Sequence, residues 1–118
     1  RRRDAAGRYS SLLAGLPGVV LPSSAEGNID AWHLYVIRVD DRDRVLAELQ
    51  AAGIGAGIHY PVPVHLSAAY RDLNLGRGDF PVAEQAADTI LSLPIYPHIT
   101  ADQQEYVAER LVAAMGRL

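Results

Sequence analysis

Hydrophobic positions along this chain change period several times, and each change marks an element. Ala5, Tyr9, Leu12 and Leu16 recur at intervals of four, three and four residues, which puts them on one face of a helix that Pro17-Gly18 must end. No capping residue precedes Arg1, so the chain is expected to start inside this helix. Val19 to Leu21 is a short β-prone run, and Pro22-Ser23-Ser24 with Gly27-Asn28 reads as the loop after it. From Trp32 to Val39 β-branched and aromatic residues dominate, with Leu34 and Val36 on one face and Tyr35, Ile37 and Val39 on the other. Both faces ask for cover, which predicts an interior strand. Asp40 or Asp41 can cap the next helix, Val45, Leu46 and Leu49 give it an apolar stripe, and Gly53 sits where a left-handed C-terminal residue is wanted.

Ile54 to Ile58 reads as another short strand, flanked and interrupted by glycines that leave room for a backbone or a ligand. In Tyr60-Pro61-Val62-Pro63 the prolines forbid helix, so His59, Tyr60 and His65 are expected on a stiff extended loop. A short helix is expected from Ser67 to Leu73. A further helix starts at Pro81 with Glu84 in its first turn, has Val82, Ala86, Ala87 and Ile90 on its apolar side, and ends near Leu91. Thr100 and Gln103 form a capping box for the last helix, where Val107, Leu111, Ala114 and Met115 share a face. The expected architecture is a single α+β domain over residues 1–118. It is a two-layer sandwich, a small, mostly antiparallel sheet with helices packed on one face.

Composition narrows the function classes. With 118 residues, 49% of them apolar, the chain can build one compact core. A formal charge of -3 argues against a nucleic-acid partner, and Arg1-Arg2-Arg3 reads as a solvated helix end diluted by Asp4. No apolar stretch approaches the ~20 residues of a membrane span and nothing at the start resembles a signal peptide, so a cytoplasmic protein without a membrane partner is expected. The absence of cysteine excludes disulfide and thiolate chemistry. All 11 basic residues are arginine, so no side chain here can form a Schiff base with a carbonyl cofactor or substrate.

The histidines are the remaining candidates for chemistry. His59 and His65 have no carboxylate beside them in sequence, and no metal site is expected. His33, between apolar neighbours in a strand, reads as a hydrogen-bonded core residue, and His98 as a solvent-facing one. His59 and Tyr60 stand at the C-terminal end of a strand on a proline-stiffened loop, where they could either hydrogen-bond a ligand or pack. The serines lack a nucleophile-elbow context, and Gly53 to Gly57 run from helix into strand, the reverse of a phosphate-binding loop.

Four stretches together resemble the small domain of the DegT/DnrJ/StrS family of nucleotide-sugar aminotransferases. They are Trp32-His33-Leu34-Tyr35-Val36-Ile37-Arg38; Gly53-Ile54 leading to His59-Tyr60-Pro61 and His65; Gly78-Asp79-Phe80-Pro81-Val82-Ala83-Glu84; and Leu91-Ser92-Leu93-Pro94-Ile95-Tyr96-Pro97. The resemblance implies the C-terminal small domain of a fold type I enzyme, with residues 1–16 ending a helix that leads in from a large domain. It further implies pyridoxal 5'-phosphate (PLP) held by that large domain, amino transfer from glutamate to a nucleotide-linked keto-sugar, and an active site at a homodimer interface. A sugar dehydratase or a non-enzymatic regulatory relative of the same fold is the alternative. Under this resemblance no catalytic or cofactor-binding residue falls within the chain. His59 and Tyr60 match residues near the nucleotide-sugar, and His65 matches a recurring histidine more often structural than catalytic. Pro61-Val62-Pro63-Val64 departs from the Pro-Leu that precedes this histidine in many members.

Overall fold

The computed structural model describes residues 1–116. Helix α1 (Arg2–Leu12) leads to β1 (Val19–Val20), β2 (Tyr35–Val39) and α2 (Arg42–Ala51). Two 3-10 turns follow (Val64–Leu66 and Ala68–Leu73), then α3 (Pro81–Thr89), β3 (Ile90–Leu93) and α4 (Ala101–Met115). The strands make one antiparallel sheet in the order β1-β2-β3, with Ile37 opposite Leu91 and Tyr35 opposite Leu93. Tyr35, Ile37, Val39, Leu91 and Leu93 turn to the same side and are buried beneath Tyr9 and Leu13 of the α1 segment, Val45 and Leu49 of α2, and Val107 and Leu111 of α4. This is the expected α+β architecture, with α1, α2 and α4 covering one face of the sheet. β2 is the central strand, as its composition predicts. Its second face is only partly covered, since Val36 is half-buried and Arg38 exposed. Among the described residues no helix is long and apolar enough to cross a membrane.

Local signals hold at both ends of the core. The capping box at α4 is complete: the Gln103 amide donates to Thr100 Oγ1 at 3.2 Å, and the Thr100 amide donates to Gln103 Oε1 at 2.9 Å. Pro81 occupies the first turn of α3, and Gly53 adopts φ 78 after α2. Gln104, which periodicity does not flag, is fully buried between α1 and α4. Its Nε2 donates to the Ala5 carbonyl at 2.8 Å and its Oε1 accepts from Arg8 at 2.9 Å, so its polar ends are paired despite the apolar surroundings.

Six expectations need correction. Helix α1 stops at Leu12, because Gly15 at φ 72 turns the chain before Pro17 is reached, and Leu13 is buried while Leu12 stays 39% exposed. The strand expected from Trp32 starts only at Tyr35, since Trp32 lies at φ 50, outside any strand conformation. Asp41 holds the N-cap position of α2 at φ 49 but caps nothing, and its carboxylate instead accepts from Arg44 Nε at 2.8 Å. Ile54 and Ala56 are buried in alternation, yet residues 54–58 form no strand, because only Gly57 reaches a partner, Ser92. Finally, Ile90 to Leu93 is the third strand rather than the end of a helix, and Val82, expected on the buried side of α3, is 74% exposed while Glu84 is buried.

Two phenols lie inside the core. Tyr9 donates to the Pro94 carbonyl at 2.7 Å, Tyr35 shares a 2.9 Å hydrogen bond with Ser10, and the two rings stand 5.1 Å apart. Burial pushes the Tyr9 phenol far above its ordinary value, with neighbouring Tyr96 and Tyr35 adding to the effect. Burial also raises Tyr35, partly offset by its bond to Ser10. In the unfolded chain both ionise near pH ~10, while the folded forms keep their protons. Stability is therefore full below that pH and falls as pH rises above it. Urea midpoints measured across this range will decline steeply in the wild type and less steeply in Tyr9→Phe, and an equal decline in both would sink the assignment.

Candidate functional site

The single bridge between Gly57 and Ser92 docks the loop after α2 against β3. The Gly57 amide donates to the Ser92 carbonyl at 3.1 Å, and the Ser92 amide donates to the Gly57 carbonyl at 2.8 Å. Two residues further on, His59 returns to the same anchor, with its Nδ1 2.9 Å from Ser92 Oγ. The His59 ring lines a cleft of about 500 Å³ together with His33, Leu34, Gly55, Ile95 and Tyr96. A Cβ at Gly57 would stand 3.5 Å from His59 Cε1, an ordinary van der Waals contact, so the ring lies beside this backbone without requiring glycine there. Tyr60 meets His59 edge-on with ring centroids 5.5 Å apart and is 74% exposed, so it projects beside the cleft.

His65 lies elsewhere. Its side chain is buried, its ring meets Phe80 edge-on at 4.9 Å, and its Nε2 stands 3.6 Å from Glu84 Oε2. That separation is too long for a hydrogen bond, and Nε2 has no hydrogen-bond partner among the described residues. Glu84 is tied back to the start of α3, accepting from the Gly78 amide at 2.8 Å and the Phe80 amide at 3.1 Å. Glu84 thus fastens the Gly78 and Phe80 backbone to α3 while His65 packs on Phe80, and His65 borders a second cleft with Arg71 and Asn74 rather than the His59 cleft.

The other two histidines separate. His98 is exposed as expected, its Nδ1 accepting from the Arg1 guanidinium at 3.0 Å. His33 is not a core residue: it is exposed at the cleft, and its backbone carbonyl accepts from Arg2 at 3.2 Å. The strand begins two residues later, so nothing buries it. Among the described residues no cluster of three or more His, Asp or Glu side chains is placed to hold a metal ion. The residue that sequence reasoning missed is Ser92. A lone hydroxyl inside the apolar run Ile90 to Leu93 is the signal that could have found it.

The sequence pattern of the DegT/DnrJ/EryC1/StrS aminotransferase family matches residues 1–112. Over 113 residues the chain is 45% identical to the erythromycin biosynthesis sensory transduction protein EryC1 of Saccharopolyspora erythraea, covering 96% of this chain and 31% of that protein. Over 103 residues it is 47% identical to the dTDP-3-amino-3,4,6-trideoxy-alpha-D-glucose transaminase of Streptomyces venezuelae, covering 87% of this chain and 27% of that protein. The crystal structure of S. venezuelae DesV in complex with a ketimine intermediate superposes on all of this chain and 32% of its own, with a TM-score of 0.95 and 42% identity. The chain therefore spans about a third of the length of the proteins it matches.

Proposed function

Because this chain belongs to the DegT/DnrJ/EryC1/StrS aminotransferase family, we propose that it is the C-terminal small domain of a PLP-dependent enzyme that moves an amino group, from glutamate, onto a keto-sugar carried by a nucleoside diphosphate. The observation that carries this reading is the superposition of the whole chain on DesV at 42% identity. PLP, when bound, supplies the electron sink for amino transfer. The donor set here does not fit that cofactor, because attachment to its aldehyde needs a lysine and the chain has none. The attachment site is therefore assigned to the rest of the protein, and no cofactor step to these residues.

What this chain contributes is the substrate side. His59 at the cleft and Tyr60 beside it offer hydrogen bonds to oxygens of the nucleotide-sugar, and buried His65, packed on Phe80, anchors the far end of the loop that carries them. Exposed Tyr60, Val62, Val64, Phe80 and Val82 supply an apolar surface for the large domain and for the second copy of a homodimer. The proposed compartment is the cytoplasm.

The test is an absorbance scan of the full-length parent with PLP, before and after borohydride, followed by glutamate. A visible cofactor band that reduction traps and glutamate converts is the expected result. A second reading is favoured by the sensory-transduction name of the 45% identical relative. No cofactor band at all would count against amino transfer and favour a regulatory or binding role instead. A bound cofactor that borohydride does not trap would point to the dehydratase.

A further inference from the structure

We propose that Ser92 is a positioning residue that holds His59 as a neutral imidazole with its proton on Nε2, so that the ring offers an N–H donor to an acceptor oxygen of the ligand in the cleft. The ligand half of this inference rests on the reading of that cleft as the nucleotide-sugar side; the role of Ser92 does not.

Ser92 grips the His59 segment twice, by the paired backbone bonds to Gly57 and by its hydroxyl 2.9 Å from His59 Nδ1. The residue is only 4% exposed, and among the described residues His59 is the side-chain partner of its hydroxyl. The heavy atoms leave two arrangements. If Nδ1–H donates to Oγ, the serine proton is left in a buried place without an acceptor. If Oγ–H donates to the Nδ1 lone pair, both atoms are satisfied, and the proton of the neutral ring must sit on Nε2. Stranding a buried donor is costly enough to favour the second arrangement by roughly tenfold or more.

The ring also meets Tyr60 edge-on, with centroids 5.5 Å apart. Nε2, across the ring from Ser92, has no protein partner among the described residues. A neutral donor held this way selects an acceptor oxygen, whether on a diphosphate or on a sugar hydroxyl, without placing a charge beside it.

The experiment uses the full-length parent labelled with ring-15N histidine and reads long-range proton–nitrogen correlations. The wild type is expected to show the His59 proton on Nε2. Ser92→Ala should lose that preference while the His65 and His98 signals stay in place, and Ser92→Thr should restore it. Wild-type His59 protonated on Nδ1, or an unchanged tautomer in Ser92→Ala, overturns the assignment. The wild-type spectrum decides even if the alanine variant does not fold. In kinetics, Ser92→Ala should raise KM for the nucleotide-sugar about three- to tenfold with kcat retained, and should add little to His59→Ala. Adding dTDP and then dTDP-glucose separates the oxygens: a shift of His59 with dTDP alone assigns the diphosphate, and one only with dTDP-glucose assigns the sugar. If neither shifts His59 while the tautomer is as stated, the ligand half falls together with the cleft reading, and the positioning role of Ser92 stands.

Discussion

Ile37→Ala will lower the unfolding free energy by about 2–5 kcal/mol, the cost of removing a branched side chain from a site that cannot collapse. Ile37 is fully buried in the central strand, opposite Leu91 and beneath the helical layer. A domain of this size has only about 5–15 kcal/mol in total, so the variant loses a large share of its folded population. Ile37→Val should cost about 0.5–1.5 kcal/mol. Arg38→Ala, the next residue in the strand but exposed, should stay within about 0.5 kcal/mol. Urea midpoints of the three variants check the ranking. Equal losses at positions 37 and 38 would mean that β2 is not seated as described.

Arg42→Met will cost about 2–4 kcal/mol by a different route. The Arg42 side chain is buried, and its Nη1 donates to both the Ala87 and the Ile90 carbonyls at 2.9 Å. These are the carbonyls exposed where α3 unwinds into β3, and methionine fills the space without serving them. Each buried acceptor left unpaired costs about 1–3 kcal/mol. The 2.6 Å pair between Arg42 and Asp43 contributes little, because Asp43 is almost fully in solvent, so Asp43→Asn should be close to neutral. Hydrogen exchange distinguishes this from a general loss of stability. In Arg42→Met the Leu91 and Leu93 amides should lose more protection than those of α4. Uniform loss across both would remove the junction from the explanation.

The capping box, the stripe of α4 and Gly53 were legible in the sequence because each depends on residues a few positions apart. The composition of β2 was legible too, since an aromatic and β-branched run has few other uses. The four-residue apolar run at Ile90 to Leu93 was not, because so short a run fits a helix end and a strand alike. The loop context singled out His59 and Tyr60, and the structure sets His59 at a cleft with Tyr60 beside it. The buried carboxylate of Glu84 beside His65, and the hydroxyl of Ser92 beside His59, carried no local signal strong enough to pair them.

The sequence by itself therefore determined which segments coil, where α4 starts, that β2 belongs inside a sheet, and that no residue here can attach PLP. Only the tertiary structure decided that the segment after α3 becomes a strand, through the free edge of β2 and the buried Arg42. It also decided that residues 54–58 make one bridge instead of a strand, and that Ser92 lies against a histidine 33 positions away. The division has one physical cause. Helix caps and turns are settled by neighbours along the chain, whereas a strand edge or a buried hydrogen-bond partner exists only once distant segments have packed.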